Sequence, residues 1–226
     1  MIRSPKFLMC LRLAVLGFLL NVALTAHAGT VKITLTGAGG AEEGLGSNYA
    51  DGEYLMPYYV SINNGPPVAV ICDDYNHTVS IGEQWTATIS TFSNLSDTRF
   101  GVADSTQYHE AAWIASQISS SSSLATITGA QFAIWALFSS NTPMVAGEAS
   151  WLSLASTAAA HGYWGMDFSH WEIITPLSPD SPQEYLIFVP EPGVLLNLFV
   201  GLTVLVLGLR FRRGQLASGA VQRTLA

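Results

Sequence analysis

The chain has 226 residues, of which 49% are hydrophobic and only 11% charged, with a formal net charge of −7. Seven of the nine basic residues lie before residue 29 or after residue 209, so Lys32 and Arg99 alone stand against 15 acidic residues between Gly29 and Phe188. A surface this acidic repels phosphate backbones, which excludes nucleic acid as the main partner.

The chain opens on Arg3, Lys6 and Arg12, followed by an apolar core from Leu13 to Leu24 and the small-x-small triplet Ala26-His27-Ala28. That order reads as a secretory signal peptide over residues 1–28, with the mature chain beginning near Gly29. Cys10 precedes the apolar core and leaves with the signal. The segment from Gly29 to Phe188 has the length of one domain and can bury a substantial core. All six tryptophans lie in it.

Val31 to Thr36 alternates apolar and polar residues, as a half-buried strand does. Gly37 to Gly52 is rich in glycine and acidic residues and reads as a loop. Tyr58–Ile62 and Val68–Cys72 are strands flanking the turn signal Asn63-Asn64-Gly65-Pro66-Pro67. Trp85 to Ile89 is another alternating strand, entered through Gly82.

The middle of the chain is helical. Tyr108, Ala111, Ala112, Ala115 and Ile118 recur on one helix face. After the serine-rich stretch 119–123, Thr126 or Thr128 is placed to cap a second helix that runs through Phe138. A third helix is expected from about Ala146 to Ala160, ended by His161-Gly162. Trp171–Ile174 and Glu184–Phe188 are strand-like again. Strands, then helices, then strands predict an α+β fold, with an antiparallel β-sheet or barrel-like strands and an inserted helical segment.

With Cys10 gone, Cys72 is alone, and one cysteine cannot form an internal disulfide. It is an inert core thiol, an intermolecular disulfide or a thiol with a chemical task. Asp73, Asp74 and His77 share one short loop, but their spacing does not make a metal site, and no metal or other cofactor is expected. No Gly-x-Ser-x-Gly elbow and no phosphate-cradling glycine loop is present, so a turnover enzyme is not expected.

Three segments carry a more specific signal: Cys72-Asp73-Asp74-Tyr75-Asn76-His77, then Tyr108-His109-Glu110-Ala111-Ala112-Trp113-Ile114, then Ala130-Gln131-Phe132-Ala133-Ile134-Trp135. Together they resemble the thioester domains of bacterial surface adhesins. The resemblance implies an internal thioester between Cys72 and Gln131, and single-turnover covalent capture of a surface amine or hydroxyl ligand. The sequence departs from that family's pattern at Ile71, where an aromatic is common, and at Ala130, where threonine is common. On this reading Gln131 lies in the first turns of its helix, where free N–H groups stabilise an oxyanion. His77, five residues from Cys72, is the candidate to assist proton transfer. Trp113 and Trp135 are candidates to exclude water. The alternative is a passive structural or carbohydrate-binding matrix protein, with Cys72 inert and an exposed aromatic groove. A third reading is a calcium-stabilised surface domain.

The chain closes on Val189-Pro190-Glu191-Pro192, an apolar run of 17 residues from Gly193 to Leu209 interrupted at Asn197, and then Arg210, Arg212 and Arg213. The run is near the lower limit of roughly 17–25 residues for a membrane helix. The arginines are the cytoplasmic side, which leaves residues 214–226 as a cytoplasmic tail. This three-part order over residues 189–213 is similar to the PEP-CTERM sorting signal. The resemblance implies recognition by an exosortase and cleavage near Pro-Glu-Pro. It also implies passage from an inner-membrane-anchored precursor to the cell surface or an extracellular matrix of polysaccharide. An ordinary C-terminal anchor is the alternative.

Overall fold

A computed structural model describes residues 29–178, 182–189, 201 and 203. The expected signal peptide, Pro190, Glu191, Pro192, Arg210, Arg212, Arg213 and nearly all of the expected membrane helix lie outside the described residues. Among the described residues, no helix is long and apolar enough to cross a membrane.

The region from Ala28 to Val189 forms one compact unit. Six of its strands close into an antiparallel barrel: β1 (Val31–Ala38), β5 (Tyr58–Ile62), β6 (Pro67–Cys72), β9 (Tyr185–Phe188), β8 (Trp171–Pro176) and β7 (Gln84–Thr91), which pairs back onto β1. Closure leaves these six without an unpaired edge. A barrel of this size has an interior filled by its own side chains. The alternation read from the sequence supplies that filling: Val31, Ile33 and Leu35 of β1, Tyr58 and Val60 of β5, and Trp85 and Ala87 of β7 are buried, with more exposed residues between them. The fold is therefore α+β, and the strands make a barrel.

The stretch 37–52 is not wholly a loop. It contains β2 (Gly44–Leu45), which runs parallel to the end of β1, and β3 (Tyr49–Ala50), which pairs with β4 (Glu53–Tyr54). These pairings are two residues long, too short to leave a periodic pattern in the sequence.

Between β7 and β8 the chain leaves the barrel and builds three helices: α1 (Ser105–Ser116), α2 (Leu124–Phe138) and α3 (Glu148–Ala160). The cap of α2 is Ser123, whose hydroxyl accepts the Thr126 N–H at 3.2 Å. Thr126 and Thr128 therefore lie inside the helix, and Thr128 returns its hydroxyl to the Leu124 carbonyl at 2.8 Å. Ser123 at the end of a serine run is as good an oxygen acceptor as threonine, and the apolar pattern hid the extra turn. Gly129 lets α2 approach the start of α3 closely: a Cβ there would sit 3.1 Å from the Gly147 carbonyl carbon and 3.2 Å from the Trp151 ring.

After α3 the backbone turns left-handed for four residues. Gly162, Tyr163, Trp164 and Gly165 all have positive φ, at 59°, 52°, 50° and 79°. For the two aromatic residues this conformation costs about 1–2 kcal/mol each. Tyr163 is held by its surroundings: its ring stacks on His109, meets Phe168 edge-on, and its hydroxyl reaches the Thr106 carbonyl.

Candidate functional site

Cys72 ends β6, paired with Tyr185 of β9, and its side chain is fully buried. Gln131 is the eighth residue of α2 and is also fully buried. The fold brings these two distant residues together. The Gln131 amide nitrogen donates to the backbone carbonyl of Cys72 at 2.7 Å. The Gln131 Oε1 accepts the Met56 backbone N–H at 3.1 Å. One turn further along the same helix face, the Trp135 indole N–H donates to Cys72 Sγ at 3.4 Å. The Cys72 thiol in turn donates to the Asp74 carbonyl at 3.3 Å.

The expected source of oxyanion stabilisation is corrected by this geometry. Because α2 starts at Leu124, Gln131 is beyond the first turn, and the backbone N–H groups around it belong to the helix ladder. The donor facing the Gln131 carbonyl oxygen is instead the Met56 N–H, from the segment leading into β5. No side-chain pattern could have marked it, since a backbone N–H leaves no trace in residue type.

Trp135 also has a closer role than water exclusion, because its indole N–H addresses the sulfur. Tyr75 lies against its ring at a centroid distance of 5.3 Å and Phe132 at 5.0 Å, so the indole that addresses the sulfur is itself held by aromatics. Trp113 packs on α1 against Trp164, at 5.8 Å. Burial pushes the Cys72 thiol well above its usual range, and Asp73 adds to this when it is ionised, while the Trp135 N–H pulls the other way. The thiol is thus protonated at neutral pH.

His77 is placed differently from expectation. Its Nδ1 lies 2.9 and 3.0 Å from the two Asp74 carboxylate oxygens and 2.7 Å from Arg99 Nη1. Arg99 also pairs with the Asp74 carboxylate and donates to the Pro182 carbonyl at 2.9 Å. These contacts anchor the loop after Cys72; the thiol's own hydrogen bond goes to the Asp74 carbonyl. Five residues of separation could not reveal that Arg99, 22 residues further on, would be inserted beside the ring.

A second buried group was not legible in the sequence. Glu184, just before β9, accepts the Arg99 N–H at 2.8 Å, the Tyr108 hydroxyl at 2.5 Å and the Thr175 hydroxyl. Beside it Asp73 is fully buried, and neither of its carboxylate oxygens has a hydrogen-bond partner. Burial, reinforced by the charges of Glu184 and Asp74, pushes Asp73 well above the ordinary carboxylate range. Burial also raises Glu184, and its hydrogen-bond donors oppose that rise. Asp73, with nothing bound to either oxygen, is the better holder of a proton. Among the described residues, no group of three or more His, Cys, Asp or Glu side chains is arranged to hold a metal ion.

Chemically, the Cys72–Gln131 arrangement can support acyl transfer. A nucleophilic sulfur, an amide with its carbonyl oxygen on a backbone donor, and a leaving nitrogen held by a carbonyl are together in a dry site. Comparison with protein-family models, with curated proteins and with solved structures returns no match.

Proposed function

We propose that the barrel domain stores a Cys72–Gln131 thioester and attaches covalently, once, to an amine or hydroxyl on a matrix or neighbouring surface. The observation that carries this reading is the clamp on the Gln131 side chain, between the Met56 N–H and the Cys72 carbonyl, with Cys72 Sγ under the Trp135 N–H. In forming the bond, the sulfur attacks the Gln131 amide carbon, and the carbonyl oxygen gains negative charge on the Met56 N–H. The C–N bond then breaks, and the thiol proton leaves with the nitrogen as ammonia. A thioester is less resonance-stabilised than the amide it replaces, so it is a stored electrophile. An incoming amine takes the Gln131 acyl group and returns the proton to Cys72 as a thiol. Full burial keeps water from the bond until a surface is engaged.

Intact mass decides the matter. The purified protein is expected to weigh one ammonia less than its processed sequence, and methylamine is expected to add at Gln131 and free the Cys72 thiol. Cys72→Ala should restore the full mass and abolish methylamine uptake. An unmodified mass with a titrating thiol and no uptake would leave the passive matrix reading in place. That second reading is favoured by one observation, the burial that keeps the Cys72 thiol protonated.

Export and sorting are part of the same proposal and rest on the two ends of the sequence. The surface-released protein is expected to end near Pro190-Glu191-Pro192. C-terminal sequencing tests this, and finding residues up to Ala226 on every extracellular molecule would refute exosortase processing.

A further inference from the structure

We infer that the left-handed turn Gly162–Gly165 is a saccharide-binding platform, on which Trp164 presents a flat aromatic face to an uncharged hexopyranose chain. Trp164 is 61% exposed although it is the largest apolar side chain in its segment. The backbone pays for that display, since Trp164 sits at φ 50° and ψ 34° within a run of positive-φ residues. A Cβ at Gly162 or Gly165 would meet nothing within 4 Å, so it is the backbone direction, not crowding, that suits glycine there. Tyr163 turns inward and anchors the turn, but nothing comparable demands that its neighbour face solvent. Strain of this kind concentrates where a side chain must be presented.

The display is built rather than frayed. The Trp164 ring lies within 13° of parallel to the exposed His161 imidazole, at 6.0 Å, and is backed by the buried Trp113 at 5.8 Å. At the C-terminal end of α1, beside Trp113, Ser116 and Gln117 are exposed. Gln117 donates to the Ser116 hydroxyl at 2.8 Å, and Ser116 Oγ lies 3.8 Å from Met166 Sδ, just past the turn. An exposed indole with a near-parallel imidazole next to it, and with a hydroxyl and an amide at the neighbouring helix end, offers a pyranose both apolar and polar contacts. The sugar's C–H face meets the electron-rich indole, and its equatorial hydroxyls meet the polar groups.

Charge narrows the class. Between Gly29 and Phe188 the basic side chains are Lys32 and Arg99, and Arg99 is bound to Asp74. An acidic polysaccharide therefore meets a domain with a large excess of carboxylates, which repels it. Area argues against a protein partner, because one exposed indole falls far short of the roughly 800 Å² per side of a specific protein interface.

Titration of the purified protein with cellohexaose, chitohexaose and maltohexaose, followed by tryptophan fluorescence and calorimetry, tests the inference. At least one should bind in the high-micromolar to millimolar range. Trp164→Ala should weaken it by about tenfold or more, and Trp164→Phe by less, in line with the loss of one stacking contact. Circular dichroism should show both variants folded, since the ring is largely in solvent. The same titration on Cys72→Ala protein should be unchanged, which separates this platform from the thioester. Absence of binding to all three sugars, or equal binding by Trp164→Ala, would overturn the inference. Equal affinity for an acidic oligosaccharide such as a hyaluronate hexamer would overturn the uncharged class. Self-association lost in Trp164→Ala, without sugar binding, would assign the turn to a second copy instead.

Discussion

Gln131→Ala is expected to lower the stability of the domain by about 2–6 kcal/mol even where no thioester has formed. Its amide satisfies two buried backbone groups, the Met56 N–H and the Cys72 carbonyl, and each orphaned group costs about 1–3 kcal/mol. Gln131→Met fills the same volume without those bonds and should recover little of the loss, which separates hydrogen bonding from packing. A covalent bond adds a further effect. Residues 72 and 131 are 59 apart in sequence, and a cross-link closing such a loop is worth about 4 kcal/mol on the chain-entropy model. Methylamine treatment of the wild type should remove that cross-link while leaving the barrel folded. Chemical denaturation of the four samples, wild type before and after amine and the two variants, reads both contributions. A Gln131→Met protein as stable as amine-treated wild type would show that the clamp contributes nothing.

Asp73→Asn is expected to stabilise the domain at neutral pH, because folding the wild type must return to Asp73 a proton that the unfolded chain has released, and each tenfold in that proton's affinity is worth about 1.4 kcal/mol. At roughly 2–4 °C per kcal/mol for a domain of this size, the rise in Tm is measurable by calorimetry. The sign with pH follows from the raised carboxyl. Its folded pKa lies above the unfolded value of about 3.9, so the folded state holds the proton more tightly. Below about pH 3 Asp73 is neutral in both states, and the variant and wild type should agree in stability. As pH rises from there toward the folded pKa, the wild type loses stability that the variant keeps. The groups that set this slope are Glu184 and Asp74, which oppose ionisation of Asp73, and Arg99, which favours it. A constant difference between the two proteins from pH 4 to pH 8 would show that Asp73 is not the titrating group.

The two predictions test neighbouring parts of one construction. The chain leaves β6 at Cys72 and immediately buries two carboxylates, of which Asp74 is met by Arg99 and His77 while Asp73 is met by no hydrogen-bond donor. A native domain that tolerates such a group does so at a cost in stability.

What the residues alone determine about this protein is whatever has a local period or a local chemistry. The strands at Val31, Tyr58 and Trp85 show in the alternation of apolar and polar residues, the strand from Val68 shows in the turn signal before it, and α1 shows in the three- and four-residue spacing from Tyr108. The pairing of Cys72 with Gln131 was readable only through resemblance, because 59 residues of chain and the whole of β7 and α1 intervene. Barrel-like strands were expected, but not that β7 pairs with β1 to close them, since pairing partners are chosen by long-range geometry as well as by the strand's own pattern. The same holds for the Met56 N–H on Gln131, for Arg99 between Asp74 and His77, and for the left-handed display of Trp164. Each depends on where a backbone group or a distant side chain is delivered in space, and only tertiary packing decides that.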